Sequence, residues 1–499
     1  MFLIVLQKVY SFLIGWPLFI SVLGAGIVFF IGTGGFTFTH FGHTCKSTLG
    51  GLFTKDKSSR VSKSGKKDIS SWEALTVAVG GTVGTGNVSG VATAVAIGGP
   101  GSIFWMWLAA LLGMGVKTAE VSLAVYYRER DELGHPYGGP TYYISKGYMR
   151  NPHTAKIAKF LAILFGVLFM LNFLIGIQAY TITEAFVSAF DFPVIIFGVV
   201  YTICLFIVCM GGAKRVAMMA AKIVPFMTVF FILLVFGVLI ANWRNIIPAF
   251  ALIFENAFTG TAAVGGFAGS AVATAVRQGI ARSVYSNEAG KGSSPMIHAQ
   301  TEAEHPVKQG MWGSMEVFID TIIVCTATAL AIIASGAWTS GSQGATLSIE
   351  AFNSVYGALG GKFIAFTLLL FGFTTQFGWF TYYEVLVRHA AKDNVALKNR
   401  IVAIFRLLFP LPGLATIIYA AHGGVTAGTV WSIADVLTAL PCIVNLVCIV
   451  GLSGTYFKLV KDYKARYMGI GKIDPNFKVF YEDSENEWLK KLEAEKAAG

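Results

Sequence analysis

The chain has 499 residues, 55% of them apolar and 13% charged, and its mean hydropathy is +0.65. A water-soluble domain of this length needs far more charge to cover its surface, so a lipid bilayer is the solvent for most of the chain. The net charge of +11 does not signal a nucleic-acid partner: the basic residues are scattered through short loops, where membrane orientation accounts for them.

A membrane helix needs about 20 mostly apolar residues. In chain order, the apolar runs predict eleven spans, at 11–31, 72–97, 101–126, 160–188, 192–210, 223–241, 251–276, 317–336, 363–388, 401–421 and 428–452. The first run is too long for a signal h-region and has no small-residue cleavage site, so it reads as a retained span. The polar tail after Gly454, with Leu489 to Lys496, reads as a short amphipathic helix in water. Five of the six cysteines (Cys204, Cys209, Cys325, Cys442 and Cys448) lie in apolar runs and Cys45 in a loop; no CxxC or Cys/His spacing suggests a disulfide framework or structural zinc.

Loop charge sets the direction. Lys46, Lys55, Lys57, Arg60, Lys63, Lys66 and Lys67 crowd the first loop, and alternate loops carry Arg128, Arg130, Lys146 and Arg150, then Lys214 and Arg215, then Arg277, Arg282, Lys291 and Lys308, then Arg388, Lys392, Lys398 and Arg400. Residues 337–361 contain no lysine or arginine. The positive-inside rule therefore puts the N-terminus outside and the C-terminus in the cytoplasm of a multi-pass protein of the cell membrane.

With the first span set aside, ten remain as two groups of five. An odd number per group inverts the second, as in inverted-repeat secondary transporters. The organisation is thus 1–71 (extra helix and basic loop), 72–241 (first repeat), 251–452 (second repeat) and 453–499 (tail). In each repeat the first helix carries a glycine cluster: Gly80, Gly81, Gly84, Gly86 and Gly90 in one, Gly260, Gly265, Gly266 and Gly269 in the other. Glycine disfavours a helix interior by about 1 kcal/mol against alanine, so both predict local unwinding, which places Gly266, Phe267 and Gly269 beside the substrate. Close packing through Gly86-x-x-x-Gly90 and Gly265-x-x-x-Gly269 is the competing reading for any single glycine. Unwound backbone at bilayer depth offers carbonyls to a cation and helix N-termini to a carboxylate. Thr374 and Thr375, midway along the ninth span, supply hard oxygen ligands for sodium, unless they bond only to their own helix.

Neither Gly84-x-Gly86-x-x-x-Gly90 nor Glu288-Ala-Gly-Lys291-Gly-Ser-Ser is a nucleotide loop: the first has the wrong spacing and no preceding strand, and the second has Tyr285 where a glycine belongs. The histidines lack an HExxH, no nucleophile or metal cluster marks an enzyme, and no cofactor is implied. Glu120, Asp320, Glu384 and Arg406 read as residues near the cytoplasmic span ends that snorkel or form structural ion pairs. Asp435 reads equally as a gate residue or a helix cap. The polar stretch Ser286 to Pro295 reads as a cytoplasmic turn or part of an inner gate.

Gly81-Thr-Val-Gly84-Thr-Gly86-Asn87, Gly98-Gly-Pro-Gly-Ser-Ile-Phe-Trp-Met-Trp107, Gly138-Gly-Pro-Thr-Tyr-Tyr143, Val284-Tyr-Ser-Asn-Glu-Ala-Gly290 and Phe318-Ile-Asp-Thr-Ile-Ile-Val-Cys-Thr326 together resemble the alanine or glycine:cation symporter family over roughly residues 11–455. The resemblance implies an all-α, LeuT-type five-plus-five inverted repeat with one extra N-terminal helix. It also implies symport of a small neutral amino acid, alanine or glycine foremost, with Na+ as the coupling ion. A proton-coupled or glutamine-preferring carrier is the alternative within that class; a cation channel or a polytopic enzyme is the alternative outside it. By the same resemblance, Gly84 to Asn87 is the unwound part of the first core helix, Thr85 and Gly86 contact the substrate carboxylate, and Trp379 closes the pocket. The carbonyls of Gly80 and Val83 with the hydroxyls of Thr374 and Thr375 form the sodium site. The family's Gly-Asn-Met-Val-Gln-Ala-Asn stretch is Leu174-Ile-Gly-Ile-Gln178-Ala-Tyr180 here: Gln178 is kept, and Tyr180 replaces an asparagine on a face expected to line the pocket. Lys291, where smaller apolar residues are common, is a second departure.

Overall fold

The computed structural model describes residues 16–50, 69–149, 152–174, 176–259, 268–391, 394–422 and 427–483, together with Val9, Phe12 and Leu13. Almost all of it is helix. The elements are α1 (Trp16–Thr33), α2 (Ser71–Thr82), α3 (Val91–Gly98), α4 (Ser102–Tyr126), α5 (Pro140–Met149), α6 (Pro152–Met170), α7 (Ile177–Phe190), α8 (Val194–Cys209), α9 (Gly212–Ala241) and α10 (Ile246–Thr259). Then come α11 (Ala268–Asn287), α12 (Pro306–Val317), α13 (Thr326–Ala334), α14 (Gly344–Tyr356), α15 (Ala358–Ala390), α16 (Val395–Leu408), α17 (Leu411–Ala421), α18 (Ala427–Gly451) and α19 (Ser453–Met468). Among the described residues the strands are β1 (Glu129–Arg130) and β2 (Pro136–Tyr137), an antiparallel hairpin between α4 and α5.

Among the described residues, eight helical stretches are long and apolar enough to cross a bilayer: Trp16–Thr33, Ser102–Tyr126, Thr154–Val187, Gly212–Ala241, Pro306–Ala334, Ala358–Ala390, Val395–Tyr419 and Ser432–Gly451. The other three expected spans take different forms. The run at 72–97 is two helices, α2 and α3, joined by a break. The run at 192–210 is the 16-residue α8. In the run at 251–276 the described residues form α10, as far as Thr259, and α11, from Ala268, with 260–267 outside the described residues. Helix α11 carries Arg277, Arg282, Ser283, Ser286 and Asn287, and its C-terminal half is buried in protein.

Helix α9 shows how sequence periodicity separates lipid from core. Phe226, Val229, Leu233, Phe236 and Ile240 form one exposed apolar stripe, while Val224, Met227, Phe231, Val235 and Val238 are buried on the other. An apolar face left open on a long helix is what a hydrocarbon solvent permits. By contrast α4 is enclosed, packing against α11 and α12 along its length. That approach depends on small residues: a Cβ on Gly279 of α11 would stand 2.2 Å from the Ser102 carbonyl oxygen and 2.9 Å from the Met106 nitrogen.

At one end of the bundle the chain segments are tied by polar contacts. Ile69, just before α2, forms a parallel bridge with Thr301, just before α12. Arg128 donates to the Thr301 carbonyl at 2.8 Å, and Ser71 Oγ donates to Gln309 at 2.7 Å. Burial pushes the His305 imidazole down to about 4, so at neutral pH it is uncharged and its Nδ1 accepts from Val307 N, capping α12.

Backbone-to-backbone approach at Gly279 makes even one methyl intolerable there, whereas Gly24 of α1 has nothing within 4 Å of the same position. Gly279→Ala is expected to lower the melting temperature of the purified protein in detergent by several degrees, and Gly24→Ala to leave it unchanged. Equal melting of the two variants would mean that α4 and α11 do not meet at this face.

Candidate functional site

The first break follows α2. Val83 leaves the helical conformation (φ −71°, ψ 89°), and the chain resumes as a π-turn over Gly86–Gly90 before α3. Asn87 Oδ1 accepts from Gly84 N at 2.8 Å, which pins the opened turn. Both glycines are required by contact: a Cβ on Gly84 would lie 2.6 Å from Thr375 Oγ1, and one on Gly86 would lie 2.9 Å from the Tyr285 ring.

Thr375 of α15 faces this opening. Its hydroxyl oxygen lies 2.9 Å from the Phe371 carbonyl, 3.0 Å from that of Gly80 and 3.4 Å from that of Val83. One hydroxyl proton cannot serve three carbonyls, so the point has more acceptors than donors, the composition of a hard-cation site. The Thr374 hydroxyl instead bonds the Leu370 and Phe371 carbonyls of its own helix and touches Met227 Sδ at 3.3 Å. Its side chain packs next to Gly80, but its oxygen is turned away from the Gly80 and Val83 carbonyls.

A second break lies beyond α11; Gly260, Gly265 and Gly266 of the other glycine cluster lie outside the described residues. Helix α11 runs unbroken to Asn287, and the chain then opens at Glu288 (φ 54°), Gly290 (φ 89°) and Gly292 (φ 80°), before a single turn at Pro295–His298. A left-handed glutamate is sterically unfavourable and is held by its surroundings. Gly266 and Phe267 lie outside the described residues. Gly269 sits in the first turn of α11, sixteen residues before Tyr285 and about 24 Å away by helical rise, so it is not at the opening. The polar stretch from Ser286 to Pro295 is buried: Glu288, Lys291, Ser293 and Ser294 are each 3% exposed or less.

A buried polar shell holds that opening. Glu120 of α4 accepts from Gly290 N at 3.1 Å and Gly292 N at 3.0 Å, and from Asn445 Nδ2 at 2.6 Å. Asn445 also donates to the Gly290 carbonyl at 2.8 Å and accepts from the Tyr143 hydroxyl. Lys117 donates to the Glu288 carbonyl and to Ser294 Oγ, both at 3.0 Å, and pairs with Glu316 at 3.4 Å. Glu120 and Asp320 are therefore fully buried and bonded to the two breaks, with no snorkelling side chain. Asp320, on a π-helical stretch over Phe318–Cys325, joins the two breaks: Asn87 Nδ2 and Ser286 Oγ each donate to it at 2.7 Å. The Asn87 amide is thus used by Gly84 and Asp320. Glu384 is the structural ion pair, held by Arg388 and Arg406 at 2.9 Å each.

Between the breaks lies a cavity of about 80 Å³. Gly84, Gly86, Gln178, Thr375 and Trp379 line it, so these expected residues are brought together. Thr85 donates through its hydroxyl to Gln178 Oε1 at 3.0 Å, directly behind that wall. Trp379 donates Nε1 to the Gly81 carbonyl at 3.3 Å and stacks on Phe169 with centroids 5.3 Å apart. Tyr180 is not in this cavity: it lines a separate one with Thr183, Glu184 and Ile417, because two residues along α7 turn it to the opposite face from Gln178. Asp435 is neither free nor a cap; it is buried in an ion pair with Arg282, which lies before the break in α11.

Tyr285, Glu288, Lys291, Asn172, Gln376 and Thr438 also line the cavity and escaped sequence reasoning as pocket residues. The available signal was Gly290-Lys291-Gly292 between polar residues and ahead of Pro295, a positive-φ pattern weighed as a turn or part of an inner gate and not as a pocket wall.

The sequence profile of the sodium:alanine symporter family matches residues 1–478. The chain is 37% identical over 467 residues to an uncharacterized transporter of Haemophilus influenzae, covering 93% of this chain and 96% of that one. It is 35% identical to the probable sodium/glutamine symporter GlnT of Bacillus subtilis, with 84% and 82% covered. It is 34% identical to the sodium/alanine symporter AgcS of Methanococcus maripaludis, with 93% and 97% covered. Among solved structures, MhsT in complex with L-phenylalanine is similar with a TM-score of 0.53 at 13% identity, over 79% of this chain and 95% of that one. A Na+-coupled sialic acid symporter gives 0.51 at 12% identity, over 91% and 93%. At these identities the structural likeness is one of fold, and that fold is the LeuT type.

Removing the Glu120 carboxylate would leave two backbone N–H groups and an amide without an acceptor in a dry interior, each costing about 1–3 kcal/mol. Glu120→Ala is therefore expected to melt well below the wild type in detergent, and Glu120→Gln, which keeps one acceptor oxygen, to fall between them. A Glu120→Ala variant as stable as the wild type would show that the second opening holds its shape without this carboxylate.

Proposed function

The chain belongs to the sodium:alanine symporter family and is a multi-pass membrane transporter, not an enzyme; on that premise we propose that it carries a small neutral amino acid, alanine or glycine foremost, together with Na+ by alternating access. The observation that carries the reading is the Thr375 hydroxyl standing among the Gly80, Val83 and Phe371 carbonyls, one residue from the glycines that open the first core helix. Thr375 and the carbonyls of Gly80 and Val83 bind the cation, and Thr374 packs behind them. Thr85 and Gly86 contact the substrate carboxylate, Gln178 fixes the Thr85 hydroxyl, and Trp379 covers the amino acid.

Coupling follows from chain connectivity. The carbonyls that meet the cation and the N–H groups that meet the carboxylate belong to one opened turn, Gly80 to Gly86. A cation that orders this turn lowers the cost of ordering it for the substrate, and the reverse holds equally. Such a shared element supplies a coupling of about 1–3 kcal/mol. Asn87, Ser286 and Asp320 tie that turn to α11, so the two broken helices respond together. In this reading residues 72–241 and 251–452 are the inverted repeats, the second with its first core helix starting at Ala268. Loop charge places the N-terminus outside and the C-terminus in the cytoplasm.

Uptake of radiolabelled alanine into proteoliposomes is expected to require an inward sodium gradient; uptake indifferent to sodium, or driven by a proton gradient alone, would overturn the coupling. Thr375→Val is expected to raise the sodium concentration for half-maximal uptake about tenfold, the effect of losing roughly 1.4 kcal/mol at the cation. Gly86→Val is expected to abolish uptake, since even its Cβ would press on the Tyr285 ring.

A further inference from the structure

At the end of the bundle where Ile69 meets Thr301 lies another cavity, of about 230 Å³. Lys214 of α9, Arg388 of α15 and Arg406 of α16 line it, against one carboxylate, Glu384. Both guanidiniums donate to the same oxygen, Glu384 Oε1: Arg406 through Nη2 at 2.9 Å, Arg388 through Nη2 at 2.9 Å and Nε at 3.2 Å. A guanidinium has five N–H donors, so among the described residues Arg406 uses one on protein and Arg388 two. Lys214 Nζ stands 3.5 Å from Glu73 Oε2, beyond the about 2.7–2.9 Å of a charge-assisted bond.

The backbone adds charge of the same sign. Gly211 to Lys214 line the cavity as the chain turns into α9, with no acidic residue in the first turn and no side-chain cap, so the positive end of a 30-residue helix borders it. Gly212 takes φ 65°, and a Cβ on it would stand 2.5 Å from Arg406 Nη2, so the guanidinium lies directly on this turn. Arg388 also borders a neighbouring cavity, but there the cations Arg130, Arg388 and Lys398 are matched by Glu129, Asp131 and Glu132. The excess of positive charge belongs to the cavity at Gly212. Ile207 and Met210, just before the turn, and Leu407 and Leu408, just after Arg406, are exposed apolar side chains. In a membrane protein such side chains meet acyl chains, so cationic wall and lipid-facing surface are continuous.

From this we infer that the cavity binds the phosphate of a membrane phospholipid, an anionic one by preference, with its acyl chains along α8 and α16. The planar forks of Arg388 and Arg406 match the oxygens of a phosphodiester, and Lys214 adds a point charge. Basic pockets between spans take headgroups of this kind. A choline headgroup brings its own cation toward three others, whereas a glycerol headgroup brings only hydroxyls, and this difference sets the preference. Ile69 and Gln300 line the same cavity, and Gln300 precedes the Thr301 that bridges to Ile69. The bound headgroup therefore braces the start of the first broken helix against the segment entering α12. A ligand held only by the folded form stabilises it by mass action, so occupancy is read as resistance to melting. Nothing in this site depends on which amino acid the central cavity carries.

The test melts the purified full chain in a neutral detergent with increasing phosphatidylglycerol, with phosphatidylcholine of the same acyl chains, or with glycerol phosphate, which has no tails. Phosphatidylglycerol is expected to raise the melting temperature by several degrees, half-maximally at a concentration at least tenfold below phosphatidylcholine. Glycerol phosphate at the same concentration is expected to have no effect. Arg406→Gln and Lys214→Gln are each expected to raise the half-maximal phosphatidylglycerol concentration at least threefold. Lys308→Gln, which removes the same charge from an exposed pair with Glu304, is expected to leave it unchanged. Equal protection of the wild type by the two lipids would overturn the inference even if no variant folds. Equal protection by glycerol phosphate would overturn a lipid as the source and leave a soluble phosphate ester. An unchanged phosphatidylglycerol response in Lys214→Gln and Arg406→Gln would overturn the assignment of this cavity.

Discussion

The Glu120 carboxylate, wholly buried in α4, accepts two backbone N–H groups from a stretch of chain that has stopped being helical. Irregular backbone is excluded from a bilayer unless its polar groups find partners inside the protein. Everything that distinguishes this molecule from a bundle of apolar rods depends on meeting that requirement. Glu120, Asn445 and Lys117 supply the partners for the second opening; Asn87 and Thr375 supply them for the first. The cavity is what remains between two openings that are each separately satisfied. A site of this kind is rigid at its walls, since every wall group is already bonded on its far side, and free only at the atoms turned inward.

The two openings are built in different ways, and the difference suits what each presents. The first is opened by crowding: glycines at 84 and 86 let Thr375 and Tyr285 approach a bare backbone, leaving carbonyls and N–H groups exposed. The second is opened by backbone conformation, with three positive φ values in five residues, and it presents side chains instead. Backbone recognises what all α-amino acids share, and side chains recognise what distinguishes them. The division of labour is therefore set by the way each helix is broken.

The membrane class, most of the span positions and the first opening were legible in the sequence, because they rest on signals that are local and dense. Twenty apolar residues are hard to mistake, and five glycines in eleven residues have few structural uses. The opening after α11 was missed for a physical reason: glycine number was the signal followed, whereas Gly290 and Gly292 serve through backbone sign, which composition does not report. The C-terminal half of α11 is buried in protein, so its Arg282 and Asn287 resemble loop residues in a hydropathy profile. Tyr180 was misplaced because a motif aligned residue by residue carries no face assignment until the helix phase is known. Asp320 looked peripheral because its span was drawn from the apolar run at 317, whereas the helix begins at Pro306.

The parallel bridge between Ile69 and Thr301 joins residues 232 positions apart, and Asn87 to Asp320 and Ser71 to Gln309 close similar spans. None of these contacts can exist until the second half of the chain has been made. At about 5–20 residues per second, synthesis takes on the order of 10–50 seconds to reach them. For that interval the first broken helix has only the partners of its own half, α9 and Gln178, and Asn87 lacks Asp320. Biogenesis must therefore hold the Asn87 amide without its final acceptor, so the opened turn made first is completed last.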